Sequence, residues 1–300
     1  MTEPSPESAP EGARREEAFE EHELDAMEEN TPFRAPAIFE VVRRQGESEL
    51  ARPALALMLS GLIAGLALGL SVMSEALFRT HLPDAGWRPL VESLGYSVGF
   101  VVVILGQMQL FTENTITAVC PALDARDRKT FLRLGRLWAL VFATNLIGAS
   151  IFGYVLHVTR AYQPDVWAAV RDIAGHAVSY GWTETMFRGV GAGWLIATLV
   201  WIMPNAGNSK TLMIILITWL IALGEFAHVI AGATEAAFLV FAGDRTAAEA
   251  LFGFVAPALI GNILGGTVFF TVLTWAQIRA EHWEDSPERR DAARRNRTRR

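Results

Sequence analysis

The chain has 300 residues, of which 51% are hydrophobic and only 19% are charged, whereas about 25% of the residues of a typical soluble protein are charged. The net charge of −6 averages an acidic N-terminus, a basic C-terminus and a nearly uncharged middle. This distribution excludes an ordinary water-soluble globular domain. The single cysteine, Cys120, excludes an internal disulfide and a cysteine-based metal site.

Both ends of the chain are predicted to be hydrophilic tails. Residues 1–48 form an acidic disordered cytoplasmic tail, because the first thirty residues hold eleven acids against two arginines and lack the layout of a signal peptide. Residues 279–300 form a basic cytoplasmic tail with seven arginines in its last twelve residues. These arginines would attract anionic lipid, and no nucleic-acid-binding fold accompanies them.

The region between the tails, residues 50–278, is predicted to be an all-α integral membrane domain with six transmembrane helices. A helix needs about 20 largely apolar residues to cross the hydrocarbon core of a bilayer. The segments that satisfy this length are 53–78, 90–121, 131–157, 183–203, 211–242 and 251–278. The second and fifth segments are too long for one simple crossing.

Each of these two long segments contains a polar interruption. The first interruption begins at Gln107 and leads to Thr112, and the second runs from Glu225 to His228. Backbone that leaves the helix at membrane depth is tolerated only where it is buried in protein or lines a cavity. We therefore predict that helices 2 and 5 are broken and that both breaks border a transport pathway.

The positive charges predict the orientation in the membrane. Lysine and arginine favour short connections on the cytoplasmic side. Eighteen lysines and arginines, a count that includes those of the C-terminal tail, fall on one side, and six fall on the other side. This asymmetry predicts six crossings with both termini in the cytoplasm, in a cell membrane that is the inner membrane where a cell has two.

The two halves of the chain are similar to each other. Leu105-Gly106 matches Leu223-Gly224, and Asn145 matches Asn262 at nearly the same offset. Three crossings per half is an odd number, so the second half is predicted to be inverted, which places a substrate path at the repeat interface. The two matching asparagines are predicted to brace the break loops. Chance similarity between apolar segments is the alternative.

These features resemble the formate/nitrite transporter family. The strings that carry the resemblance are Leu110-Phe111-Thr112, Phe226-Ala227-His228-Val229-Ile230-Ala231 and Gly261-Asn262-Ile263-Leu264-Gly265-Gly266. The resemblance covers about residues 50–278. It implies an aquaporin-like fold built from an inverted 3+3 repeat, assembly as a homopentamer, and transport of small monovalent weak-acid anions such as formate or nitrite, without a cofactor or metal.

The resemblance also implies a constriction between two hydrophobic gates. By this resemblance Thr112 and His228 would face the constriction. The gates would be formed by Leu110 and Phe111 on the cytoplasmic side and by Phe100 and Ile221 on the opposite side.

The sequence departs from the family pattern at several positions near the path. An acid that often precedes the histidine is replaced by Ala227, and the nearest carboxylate is Glu225. Gly193 and Gly232 replace two asparagines. The vestibule lysine is missing, and Arg188 is a candidate to substitute for it. These departures leave the fold prediction intact and the substrate open.

His228 is the only histidine predicted inside a span, where ionisable groups are costly and by default functional. Imidazole titrates near neutral pH, and desolvation favours the neutral form of a weak acid. We therefore predict proton-linked passage of an anion past His228, with the proton taken from His228 or from bulk water and a hydrogen bond offered by Thr112. A buried histidine bonded to a neighbouring carbonyl is the alternative.

Several acids lie in or near the spans. Glu225 precedes His228 by three residues and would share its face if that segment is helical, where it could orient the imidazole. Equally, Glu225 and Glu235 could anchor the broken backbone by accepting hydrogen bonds from freed amides. Glu75 and Glu184, near the outer ends of their spans, are predicted to be interfacial or paired.

Two other function classes are alternatives for a chain with this pattern. An aquaporin-like channel for small neutral solutes is the main alternative, but a water channel normally has paired Asn-Pro-Ala breaks, and neither break here contains proline. An intramembrane enzyme would need a serine–histidine pair or paired aspartates within the spans. Only His228 is available there, so the chain is predicted not to be an enzyme.

Overall fold

The computed structural model describes residues 31–159 and 164–284 of the chain. Within these residues the regular secondary structure is entirely helical and no β-strand occurs, which confirms the predicted all-α class. Residues 1–30 and 285–300, which make up most of the two predicted tails, lie outside the described residues.

The first half of the helical body runs from α1 to α6. The bounds are α1 Ala35–Ala51, α2 Ala54–His81, α3 Arg88–Glu92, α4 Ser97–Leu105, α5 Val119–Ala125 and α6 Arg128–Thr159. Between α4 and α5 the chain is irregular over residues 106–118, apart from one 3₁₀ turn at Glu113–Thr115. This segment is the first interruption.

The second half runs from α7 to α12. The bounds are α7 Pro164–Ala177, α8 Trp182–Ile202, α9 Lys210–Leu223, α10 Val229–Ala242, α11 Ala256–Ile263 and α12 Leu273–Glu284. Two π-helical stretches flank α11. Glu249–Val255 precedes it, and Leu264–Val272 joins it to α12. Residues 224–228, between α9 and α10, form the second interruption.

Several helical segments of the described residues are long and apolar enough to cross a membrane. These five are Ala54–His81, Arg88–Leu105, Arg128–Thr159, Trp182–Asn205 and Glu249–Glu281. Where the sequence predicts the remaining crossing, two shorter apolar segments occur, Gly207–Leu223 and Val229–Ala242. The chain is therefore a multi-pass membrane protein with its second interruption between two short apolar helices.

The predicted disordered tail extends too far into the chain, because residues 35–48 belong to α1. One face of α1 is apolar and buried, through Ile38, Phe39, Val42 and Leu50. On its polar face, hydrogen bonds from Arg43 and Arg44 lower the pKa of Glu40 to about 2. An amphipathic helix is stabilised by burying its apolar stripe, a pattern that the acidic composition of the N-terminus as a whole obscures.

Two pairs of helices cross at close range through glycine. A β-carbon at Gly65 of α2 would lie 2.2 Å from the carbonyl oxygen of Asn145 on α6, and one at Gly193 of α8 would lie 2.3 Å from that of Asn262 on α11. Because lipid removes most of the hydrophobic drive between helices, close packing through small residues supplies much of the contact. These crossings hold the two asparagines beside the interruptions.

The α2–α6 crossing generates a stability prediction. A β-carbon at Gly148 would lie 2.3 Å from the carbonyl oxygen of Leu62, whereas one at Gly135 on the same helix meets no atom within 4 Å. We expect Gly148→Ala to destabilise the protein by about 1–3 kcal/mol through overpacking, and Gly135→Ala to leave it unchanged. Thermal unfolding in detergent measures both variants, and equal midpoints would contradict the close crossing.

Candidate functional site

The two interruptions begin with the same backbone turn. Gln107 follows the end of α4 with a φ of 52°, and Glu225 follows the end of α9 with a φ of 54°. In both turns the left-handed residue and its successor donate their amides back to the last helical turn, which is the Schellman arrangement. Left-handed backbone is uncommon for residues other than glycine, and such positions cluster at functional sites.

Asn145 on α6 ties the first interruption to α2. Its Nδ2 donates to the carbonyl oxygens of Gln109 at 2.9 Å and Gly61 at 2.7 Å. Its Oδ1 accepts from the amide of Phe111 at 2.9 Å. The side chain is fully buried. It therefore satisfies backbone groups on both sides of Leu110 that lost their helical partners.

Asn262 on α11 makes the matching set of contacts in the second half. Its Nδ2 donates to the carbonyl oxygens of Ala227 at 2.8 Å and Gly189 at 2.9 Å, and its Oδ1 accepts from the amide of Val229 at 2.9 Å. This side chain is also fully buried. The two asparagines thus satisfy corresponding backbone groups on either side of Leu110 and of His228.

His228 caps the N-terminus of α10. Its backbone is extended, and its Nδ1 accepts a hydrogen bond from the amide of Ala231 at 3.2 Å, the bond that a good N-cap side chain makes. Because Nδ1 is an acceptor, the neutral ring carries its proton on Nε2. The cap therefore sets the tautomer that the imidazole presents to the first interruption.

Thr112 and His228 meet where the two interruptions face each other. Thr112 Oγ1 lies 2.8 Å from His228 Nε2, and both side chains are buried. With Nε2–H donating to the threonine oxygen, the threonine hydroxyl proton has no other acceptor among the described residues. The pair is therefore able to donate a hydrogen bond to a ligand.

The residues predicted for the outer gate lie beside the imidazole. The ring of Phe100 packs edge-on against that of His228, with centroids 4.9 Å apart. Ile221 is fully buried and lines the same cavity as His228. The Phe100 ring of α4 therefore covers one edge of the imidazole, and Ile221 of α9 adds an apolar wall to the cavity that His228 lines.

The residues predicted for the other gate are buried, but they are placed differently. The ring of Phe111 packs against Trp138 and Phe142 of α6, with centroids 5.7 and 5.0 Å away. Leu110 is fully buried. Neither Leu110 nor Phe111 lines the cavity that contains His228 or the cavity that contains Gln109.

Two cavities lie beside the interruptions. The His228 cavity, of about 260 Å³, is lined by residues that include Glu75, Glu225, His228 and Glu235. The Gln109 cavity, of about 500 Å³, is lined by residues that include Glu49, Arg52, Met108, Gln109, Glu113 and Lys210. Leu110 and Thr112 are fully buried and line neither cavity.

Glu225 does not contact His228, because the segment between them is irregular rather than helical. Its carboxylate accepts a hydrogen bond from the Tyr180 hydroxyl, and it lies 3.2 Å from His176 Nε2 and 3.3 Å from Arg188. It accepts no bond from a freed amide among the described residues, so neither predicted role for Glu225 holds. Burial, followed by this hydrogen bond, raises the pKa of Tyr180.

Arg188, the candidate substitute for a vestibule lysine, is held at the mouth of the His228 cavity rather than in its lining. Its guanidinium lies 3.7 Å from the centre of the Tyr180 ring. It also pairs with Glu184 at 3.1 Å, so the predicted pairing of Glu184 is confirmed. The charge of Arg188 is therefore shared between two acids.

The glycine at position 232 makes room for an aromatic side chain. A β-carbon at Gly232 would lie 2.1 Å from the Phe254 ring, which lines the His228 cavity. Tyr96 lines the same cavity, and its ring centroid lies 5.2 Å from that of Phe100. The sequence does not single out Phe254 or Tyr96, because hydropathy alone does not distinguish a cavity-facing aromatic residue from a lipid-facing one.

The helical fold agrees with comparisons to known proteins. The family profile described as formate/nitrite transporter matches residues 36–276. The chain belongs to the formate/nitrite transporter family. Members of this family are channels and transporters rather than enzymes, as the sequence predicts.

Relatives within the formate/nitrite transporter family include two bacterial proteins. The chain is 38% identical over 256 residues to the inner membrane protein YfdC of Escherichia coli, which covers 85% of this chain and 83% of that protein. It is 26% identical over 249 residues to the formate channel FocA of Haemophilus influenzae, covering 72% of this chain and 84% of that protein.

Two solved structures share the fold. One is described as an FNT family ion channel, with a TM-score of 0.68 at 20% identity, covering 81% of this chain and 98% of that chain. The other is described as a pentameric formate channel with formate bound, with a TM-score of 0.62 at 21% identity, covering 75% of this chain and 97% of that chain.

The asparagine contacts generate a second prediction. Asn262→Ala leaves the buried amide of Val229 and the carbonyl of Ala227 without their side-chain partner, which costs about 1–3 kcal/mol per group. We therefore expect a lower thermal midpoint and impaired assembly in size-exclusion chromatography, with Asn145→Ala behaving alike. Asn208→Ala, at an exposed turn, is the control. A wild-type midpoint in both buried variants would show that the breaks hold without them.

Proposed function

We propose that this protein is a channel or transporter of the inner membrane for small monovalent weak-acid anions such as formate, with passage linked to protons. Membership of the formate/nitrite transporter family supports the anion class, and the names of the E. coli and H. influenzae relatives support the location and the substrate. The substrate path leads through the His228 cavity, past Thr112 and His228, and into the Gln109 cavity.

The single observation that carries this proposal is the 2.8 Å contact between Thr112 Oγ1 and His228 Nε2. It joins the two interruptions, one from each half of the chain, in a buried position. Nε2 of this ring is bonded to a hydroxyl group that can itself donate onward, and not to a backbone carbonyl.

The proposed mechanism begins with the loss of water from the anion between Phe100 and Ile221. A desolvated anion binds a proton more tightly than a hydrated one, so the neutral acid is the form that passes. The Thr112 hydroxyl donates to an oxygen of the substrate, and His228 holds that hydroxyl in place. His228 keeps its cap to Ala231 throughout, so the neutral ring orients the substrate but does not surrender Nε2–H.

The assembly is proposed along the same lines. We propose six crossings, with α9 and α10 together forming the fifth and both termini in the cytoplasm. The aquaporin-like inverted repeat is supported by the matching turns at Gln107 and Glu225. We also propose a homopentamer, since one structure of the same fold is described as a pentameric formate channel.

Flux measurements on proteoliposomes test the constriction. An inward formate gradient should acidify the lumen of wild-type vesicles, because the neutral acid carries a proton across. A pH-sensitive dye inside the vesicles reports this change. We expect His228→Asn, which keeps a good N-cap but removes the imidazole, to lower this flux by about tenfold or more. Thr112→Val, which keeps the shape and removes the hydroxyl, should have a smaller effect in the same direction.

The control is His81→Ala, since His81 is exposed at the end of α2. Full flux with an unchanged pH dependence in His228→Asn would remove histidine from the mechanism. Osmotic shrinkage with glycerol, in the absence of any formate-driven acidification, would favour the channel for neutral solutes instead.

A further inference from the structure

The His228 cavity is rich in acids, which is unexpected on the path of an anion. Its charged and titratable lining residues are Glu75, Arg79, Glu92, Tyr96, His176, Tyr180, Glu225, His228 and Glu235. Four of these are carboxylic acids and one is an arginine. If all four acids were ionised, the cavity would repel the anion that the proposed function assigns to it.

Two of the four acids are neutralised by ion pairs. Glu92 is buried and lies 3.1 Å from Arg79 and 3.5 Å from Arg88. Glu225 is paired at the cavity mouth with Arg188 and is bonded to Tyr180. Only Glu75 and Glu235 are left without an ion pair or hydrogen bond within the described part of the chain.

Glu235 is the more deeply buried of these two acids, with 6% of its surface exposed. It lies seven residues after His228 on α10, two helical turns along the same face. Glu75 on α2 and Tyr96 line the same cavity. A buried polar side chain that lines a cavity and has no protein partner makes its hydrogen bonds to water or ligand in that cavity.

The imidazole does not supply the proton that the anion needs. With Nδ1 committed to the amide of Ala231, the neutral ring would have to give up Nε2–H and become an imidazolate. A carboxylic acid without a counter-charge has the opposite property, because burial makes its ionised form costly and its protonated form stable. The cavity therefore holds an acid that is neutral towards an approaching anion and still carries a transferable proton.

We propose that Glu235, beside Glu75, is the proton-exchange residue of the His228 cavity, and this inference rests on the proposed function. The O–H bond of the Glu235 carboxylic acid breaks, an O–H bond forms on the substrate anion, and the neutral acid moves on to Thr112. Transfer passes directly or through water, which a polar cavity of about 260 Å³ readily holds. The carboxylate left behind takes up a proton from hydronium of the bulk solution at the cavity mouth, so that one external proton moves with each anion.

The test is formate flux of the full-length protein in proteoliposomes at external pH values from about 5 to about 8. We expect Glu235→Gln to lower flux about tenfold or more near pH 8, where free protons are scarce. Near pH 5, where bulk protons replace the lost donor, flux should be within about twofold of wild type. Glu235→Asp, which keeps a carboxylic acid, should retain the wild-type pH profile.

Glu75→Gln provides a second readout. It removes the other unpaired carboxyl of the cavity but leaves the Glu235 carboxyl in place, so flux near pH 8 should fall much less than in Glu235→Gln. The control is Asp165→Asn, which removes an exposed acid outside the cavity and should leave the profile unchanged.

The opposing outcomes are distinct. A wild-type pH profile in Glu235→Gln overturns the inference and leaves the proposed function standing. Equal loss at every pH in both Glu235→Gln and Glu235→Asp, with assembly intact by size-exclusion chromatography, overturns it in favour of a structural role. Flux that depends on the sodium concentration and not on pH would overturn the inference, because Glu75 and Glu235 would then bind a cation and not exchange a proton. Failure of the wild type to move formate or any related weak acid would instead refute the proposed function.

Discussion

A backbone group that leaves a helix inside a bilayer must find its partner within the protein, since the lipid offers none. Two segments of this chain leave the helix between apolar helices, and in each a buried asparagine from a neighbouring helix bonds the carbonyl before and the amide after one residue. The glycine crossings that bring α6 and α11 close to these segments are therefore as much part of the site as the residues within it.

The bracing determines which residues can meet. In the second segment the braced groups flank His228, so its side chain is free to cap α10 through one nitrogen and to reach Thr112 through the other. The hydrogen bond between Thr112 and His228 thus depends on the hydrogen bonds that the asparagine side chains make to the backbone, and not on an ion pair. This explains how a buried imidazole is held in one tautomer without a carboxylate partner among the described residues.

Much of the candidate site was predictable from residue types and spacing, and three features were not. The pairing of Glu225 with His228 assumed a helix between them, but a left-handed turn at Glu225 directs its carboxylate to Tyr180 and Arg188 instead. The alternative in which Glu235 anchors the broken backbone is wrong, since Glu235 bonds no freed amide in the part of the chain that the structure describes. Phe111 packs against aromatic residues of α6. A match of residue types to a motif does not predict which neighbours a side chain packs against.

The sequence by itself determined the helical membrane class, the positions of the two polar interruptions and the match between the halves, because hydropathy, length and repetition are properties of the chain read along its length. It also identified Thr112, His228, Asn145 and Asn262. Only the tertiary structure decided that the first two touch, that each asparagine spans a break, and that Glu75 and Glu235 share one cavity. Those relations join residues far apart in the chain, and they arise from how closely the glycine-lined helices pack.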